Sequence, residues 1–182
     1  MTKTTILIEG YTSGDTGGRS CCTVTLVQDG DINMIIDPGT TSSQQVLVDA
    51  LKKENLSIED INVVGITHAH TDHNRNVGMF QKAKVIDYWG WWEGDLWTES
   101  NGRVSDNIEI IKTPGHSDDS ITFLIQTDDG ITAICGDVFW KENEPEKDAY
   151  ANNLKMLEAS RQLVLKKADY IIPGHGRMYI TG

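Results

Sequence analysis

The sequence predicts an α/β fold in which sheets are covered by helices on their outer faces. Three observations carry that prediction. Short apolar runs rich in β-branched residues recur along the chain, interrupted by three stretches of helical spacing, in the order strands, helix, strand, helix, strands, helix, strand. A chain of 182 residues, 38% hydrophobic and 24% charged, suits one domain over 1–182 with a core that needs no disulfide staples. All five histidines follow predicted strands, in segments rich in Gly, Pro, Asp or Thr, and strand ends are where an α/β scaffold assembles a site.

Residues 4–9 and 20–28 alternate or run apolar and read as strands. Between them, 10–19 is a Gly- and Thr-rich loop, with an ordinary surface loop the simplest reading and a lid carrying Arg19 as an anion contact the functional one. Asp29-Gly30 is a turn signal, and 32–36 completes a hairpin that ends at Asp37-Pro-Gly39. Residues 42–54 place Val46, Leu47, Ala50 and Leu51 at helical spacing behind an N-cap at Ser42 or Ser43. A buried strand over 61–67 follows, then a short helix over 74–80 and a strand over 84–88.

The segment 88–97 holds four of the five tryptophans, Trp89, Trp91, Trp92 and Trp97. It reads equally as a substrate-pocket lining, a protein interface or packing under a long loop. Strand 108–112 leads to Thr113-Pro-Gly-His116, and 120–126 pairs with 131–135 around Asp128-Asp-Gly130 before Gly136-Asp137. A charged, solvated loop over 142–147 precedes a long helix over 149–167 with Leu154, Leu157, Val164 and Leu165 as its inner face. The chain closes on Tyr170-Ile-Ile-Pro-Gly-His175-Gly.

Composition narrows the function classes. No apolar run approaches the roughly 20 residues of a membrane helix, and the short N-terminal run meets Glu9 too soon for a signal peptide, so the expected location is the cytoplasm. Cys21, Cys22 and Cys135 are an odd count without a Cys-x-x-Cys pair, as expected of core thiols in a reducing compartment, and Cys21 and Cys22 are expected to point to opposite faces of a strand. Sixteen Lys and Arg against 27 Asp and Glu leave a net charge of −11 and no basic run, which disfavours a nucleic-acid partner and favours a small molecule. A homo-oligomer is compatible with all of this, and a membrane partner is not expected.

The densest chemistry is His68-Ala-His-Thr-Asp-His73, three imidazoles and a carboxylate within six residues at a predicted strand end. Neutral imidazole and carboxylate are zinc ligands, and a turning backbone lets His68 and His70 reach one metal while Asp72 and His73 reach another. His116, Asp137 and His175 occupy the same kind of position after later strands.

His-x-His-x-Asp-His, then Pro-Gly-His, then Gly-Asp, then Pro-Gly-His-Gly, in that order from Asp37-Pro-Gly39 to His175, resembles the metallo-β-lactamase-fold metallohydrolase superfamily, its small single-domain members in particular. The resemblance implies a four-layer αβ/βα sandwich with the site on one edge of the two sheets. It implies that His68, His70 and His116 bind one metal, that Asp72, His73 and His175 bind a second, that Asp137 bridges both, and that Asp37 supports the site by accepting a hydrogen bond. The expected cofactors are two divalent ions, zinc by preference with iron or manganese also compatible. The expected chemistry is hydrolysis by a metal-bridging hydroxide, with Asp72 as a catalytic proton acceptor that competes with its role as ligand.

Departures from the pattern sort the branches. The common zinc β-lactamases resemble this order but carry Cys or Ser where Asp137 stands, and Cys135 is two residues too early to substitute. Diiron flavoproteins carry an acidic residue where His70 stands. Hydroxyacylglutathione hydrolases and lactonases share the implied ligand set, so a small ester, thioester or lactone is the expected substrate. A metal-dependent ribonuclease or phosphodiesterase is the alternative, and a mononuclear iron persulfide dioxygenase or a non-catalytic metal-binding module the second.

Overall fold

The computed structural model describes residues 1–142 and 144–181, so Asn143, inside the loop read over 142–147, and Gly182 lie outside the described residues. A first sheet contains β1 (Lys3–Ile8), β2 (Val24–Asp29), β3 (Ile32–Ile36), β4 (Val63–Gly65), β5 (Lys84–Ile86), β6 (Trp91–Glu93) and β7 (Leu96–Thr98), lying side by side in chain order. A second contains β8 (Arg103–Ser105), β9 (Ile108–Lys112), β10 (Ile121–Thr127), β11 (Gly130–Ile134), β12 (Tyr170–Ile172) and β13 (Tyr179–Ile180), also in chain order. Each sheet is mixed. Hairpins pair antiparallel, while β3–β4, β4–β5 and β11–β12 are parallel and need crossovers. Helix α2 (Gln44–Lys53) fills the first crossover and α4 (Leu154–Lys167) the last; α1 (Ser13–Thr16) and α3 (Thr71–Asn74) are single turns.

Period-two alternation divides the core into layers. Met34, Ile36 and Val63 of the first sheet meet Phe123, Ile125, Ile134 and Ile172 of the second in the central layer. Their neighbours Ile35 and Val64 point outward onto Leu47 and Leu51 of α2. Leu124, Ala133 and Ile171 face outward onto Leu157 and Val164 of α4. The result is the expected αβ/βα sandwich. At Gly65 the layers leave no room for a side chain: a Cβ there would meet the Met34 side chain and the Phe123 ring.

Several local expectations are corrected. The strand read over 61–67 pairs only at Val63–Gly65, because the Thr67 amide leaves the ladder to donate to the Asp37 carboxylate. Cys21 and Cys22 precede β2 rather than lying in it, and both are fully buried. The helix read over 74–80 is α3 followed by a 3-10 turn at Val77–Met79, and α4 starts at Leu154 rather than near 149. Val46, Leu154 and Leu165 lie exposed; Ser160 joins Leu157 and Val164 on the inner face of α4. Strands β6, β7, β8 and β13 had no counterpart in the sequence reading. Among the described residues, no helix is long and apolar enough to cross a membrane.

Candidate metal centre

One edge of the sandwich gathers the loops that follow β3, β4, β9, β11 and β12. They carry Asp37, residues 67–73, His116, Asp137 and His175 respectively. The Asp37 amide donates to the Gly65 carbonyl, and its backbone adopts a left-handed φ of 49° that turns the side chain under the next loop. His70 caps α3, while Asp72 and His73 lie within it. Asp137 lies in a 3-10 turn, Gly136–Val138, beyond β11. His175 is placed by its own amide, which donates to the Trp140 carbonyl. A Cβ at Gly174 would strike the Asp137 carboxylate, so only glycine lets these two loops close on each other.

The side chains converge in two groups: His68, His70, His116 and Asp137, and Asp72, His73 and His175. Within each, one donor atom per residue lies within 4.8 Å of every other, close enough to hold a metal ion. His70 Nδ1 is 3.0 Å from both His68 Nε2 and His116 Nε2. Asp137 stands between the groups, with Oδ2 3.3 Å from His116 Nε2 and Oδ1 3.3 Å from both His73 Nε2 and His175 Nε2. His175 Nε2 is 3.6 Å from Asp72 Oδ2, which accepts a hydrogen bond from Ser20 Oγ at 2.8 Å.

Outward-facing nitrogens fix the imidazoles. His73 Nδ1 lies 2.7 Å from Asp37 Oδ2, and His116 Nδ1 lies 2.6 Å from Asp148 Oδ2. His175 Nδ1 faces the carbonyls of Cys21 and Tyr11 at 3.0 and 3.2 Å. The Thr67 hydroxyl donates to Asp37 at 2.6 Å, which leaves its oxygen to accept from His68 Nδ1 at 3.1 Å. Each of these four rings thus holds a proton on Nδ1 and turns Nε2 inward, the arrangement that raises ligand basicity and fixes orientation in metal sites.

The donor set is short of protons. His73 Nε2 and Asp137 Oδ1 are buried without a hydrogen-bond partner among the described residues. Buried polar groups left unpaired are costly, and acceptors aimed at one another fit divalent cations of the kind bound by nitrogen and oxygen. Titration behaviour divides the set. Burial, reinforced by the neighbouring imidazoles, pushes the pKa of His68 and of His70 down, so both stay neutral. Burial also opposes charging of His73 and His175, but Asp137 outweighs it, aided by Asp37 at His73, and holds both pKa values up. Burial opposes ionisation of Asp137 too, and His73 and His175 overcome it, keeping the carboxylate ionised. Protons and cations therefore compete for the same inward atoms.

Asp148 and Thr67 were not singled out from the sequence. Asp148 is as buried as Asp37, at 2%, yet it follows Lys147 in a charged loop and carries no local signal. Of the nominated tryptophans, Trp89 alone lines one of the described cavities that touch a donor. The cavity above the donor groups, about 370 Å³, is lined by Thr12, Ser13, Ser20, Tyr150 and Trp140, the fifth tryptophan. Trp89 lines a neighbouring cavity of about 300 Å³ beside His68. Trp91 packs toward the central core, and Trp92 and Trp97 stand on the outer β6–β7 hairpin, donating to Asp87 and to the Trp89 carbonyl.

Residues 17–90 match the family profile described as Metallo-beta-lactamase superfamily. Metallo-beta-lactamase domain-containing protein 1 of Xenopus laevis is 30% identical over 184 residues, covering 94% of this chain and 78% of its own length. The chain belongs to the metallo-β-lactamase superfamily. It spans 48% to 61% of the length of other curated relatives, from nematode and mammals. Among solved structures, a putative metallo-beta-lactamase from Thermotoga maritima superposes with a TM-score of 0.79 at 20% identity, over 98% of this chain and 99% of that one. The dizinc quorum-quenching lactonase AidC, solved with a homoserine product, superposes at 0.67 and 15% identity, over 90% of this chain and 76% of its own. Both share the superfamily fold. The family profile ends at residue 90, so His116, Asp137 and His175 lie beyond it.

Proposed function

We propose that this chain is a metal-dependent hydrolase of a small ester, thioester or lactone, with His68, His70 and His116 holding one divalent cation, Asp72, His73 and His175 a second, and Asp137 shared. The observation that carries this reading is the two inward-facing donor groups meeting at Asp137 with unpaired buried acceptors between them. The lactonase likeness, at the level of fold, favours an acyl substrate. Two bound divalent cations, zinc by preference, lower the pKa of water toward about 7 and polarise a substrate carbonyl.

The chain's own residues do the rest. Asp37, Thr67, Asp148 and the Cys21 carbonyl hold four imidazoles in the ligand tautomer. With all five histidines committed, no imidazole remains for proton transfer, which leaves Asp72, bound metal or water as the route. Asp72 lines the cavity, half-buried, and its Oδ2 is steadied by Ser20.

Turnover by metal-loaded protein of lactones, thioesters, single-stranded RNA and glutathione persulfide tests the reading. Cleavage of the first two, with two zincs per chain and a 10²- to 10⁴-fold lower kcat in Asp72→Ala, is expected, on the order of general acid–base contributions. RNA cleavage would favour the phosphodiesterase alternative, and one iron with persulfide oxidation the dioxygenase. No turnover at all, with Asp72→Ala indistinguishable from the parent, would leave a metal-binding module.

A further inference from the structure

The cavity over the donor groups lacks the group an anionic substrate needs. Besides the donors, its described lining is three hydroxyl residues, Thr12, Ser13 and Ser20, and two aromatic ones, Trp140 and Tyr150, with no Lys or Arg. The indole and phenol stack with centroids 5.7 Å apart and planes at 21°, and the indole stands edge-on to His116 and His175 at 6.3 and 6.4 Å. Tyr150 is 72% exposed, so the stack forms an aromatic wall open to solvent directly beside the donors.

The neighbouring cavities offset this only in part. The one beside His68 is walled by Ile66, Val77, Tyr88 and Trp89, with Asp87 and Asp119 already accepting from backbone amides. A third, which shares His175, contains Lys141 and Arg177, but Lys141 is paired with Asp15, and Glu9, Glu142 and Glu144 stand around it. A carboxylate or phosphate remote from the reacting acyl group meets no cationic side chain in the described lining of this cavity, inside a chain of net charge −11.

We propose that the site selects substrates uncharged on both the acyl and the leaving side, namely lactones, neutral esters and thioesters of neutral thiols, with the Trp140–Tyr150 stack as their apolar platform. This rests on the hydrolase reading and narrows it, setting glutathione conjugates and phosphodiesters aside.

Two thioesters with the same acyl group separate the cases: S-hexanoyl-N-acetylcysteamine is neutral and S-hexanoylglutathione carries two carboxylates. For the metal-loaded protein, kcat/KM at least ten-fold higher for the neutral compound is expected. The uncleavable thioethers S-hexyl-N-acetylcysteamine and S-hexylglutathione should show the same order by calorimetry. Tyr150→Ala, at an exposed position, should weaken the neutral thioether by about three- to ten-fold, the range of aromatic contacts, and Ser13→Lys should improve S-hexylglutathione. Equal or tighter binding of S-hexylglutathione by the parent, or no binding of either thioether, overturns the proposal. If neither thioester is cleaved while the neutral thioether still binds preferentially, the hydrolase reading fails and the charge selection stands.

Discussion

His73 and His116 are backed in the same way by carboxylates that reach their places by different routes. Asp37 follows β3 by one residue, and its amide bond to Gly65 and its two bonds from Thr67 tie it to the sheet. Asp148 hangs in the loop between β11 and α4, where its other oxygen accepts from the Tyr150 amide. That loop is gripped from outside: Arg161 of α4 donates to the carbonyls of Val138, Pro145 and Glu146. A support attached to a strand inherits the precision of the ladder, whereas one in a loop needs a distant side chain to hold it. The support behind His73 is therefore fixed by the sheet, and the one behind His116 by a side chain of α4.

Metal removal tests whether the two halves act as one centre. Stripping the protein with a chelator and restoring zinc to about 1,000 times its Kd should raise stability by about 4 kcal/mol if only the folded state binds. Thermal unfolding reads this directly, and an unchanged transition would mean that the donor groups hold no ion.

The next effect sets the two supports against each other. Asp37→Ala and Asp148→Ala should each weaken zinc binding by roughly 10- to 100-fold, the usual cost of losing a carboxylate behind a metal-binding imidazole. Competition with a chromophoric chelator measures it. The comparison sharpens if Asp37→Ala affects chiefly the group containing His73 and Asp148→Ala the group containing His116. It breaks if Asp148→Ala binds zinc like the parent.

The smallest effect comes from Asp29, which also joins the two halves. This carboxylate at the end of β2 accepts from Thr2, from Ser105 at the end of β8 and from Asn107, at 2.8, 2.5 and 3.0 Å. Slight burial works against it, but the Ser105, Asn107 and Thr2 donors prevail and hold its pKa below the usual value. Asp29→Asn should cost about 1–2 kcal/mol at neutral pH and leave zinc affinity unchanged. A lowered folded-state pKa means that the stabilisation is present above the ordinary carboxylate pKa near 3.9 and fades as pH falls through the lower folded value. The gap between parent and variant should narrow in acid, and a gap that widens there would contradict the assignment.

Legibility followed locality. The turn signals Asp29-Gly30 and Asp128-Asp-Gly130 marked the hairpins because two or three residues suffice to declare a tight turn. The β6–β7 hairpin did not declare itself, since three-residue strands are too short for a pattern. On α4, exposed Leu154 and Leu165 looked like core because composition does not say which stripe faces the sheet, while Ser160, which bonds the Pro114 carbonyl, looked like surface. Asp37 stood out in Asp-Pro-Gly; Asp148 had nothing to distinguish it from the acidic residues of its loop.

The fold class, the ligand-type residues and their order are legible in the chain because strand periodicity and clustered histidines are local signals. The tertiary structure alone decided that His116, Asp137 and His175 meet the 68–73 turn at one edge, that Asp137 stands between the two groups, and that Trp140 and Tyr150 rather than the 88–97 tryptophans wall the cavity above them. Those facts depend on which loops the two packed sheets bring within a few ångströms of one another, and residues some forty to a hundred positions apart carry no mark of that meeting in the chain.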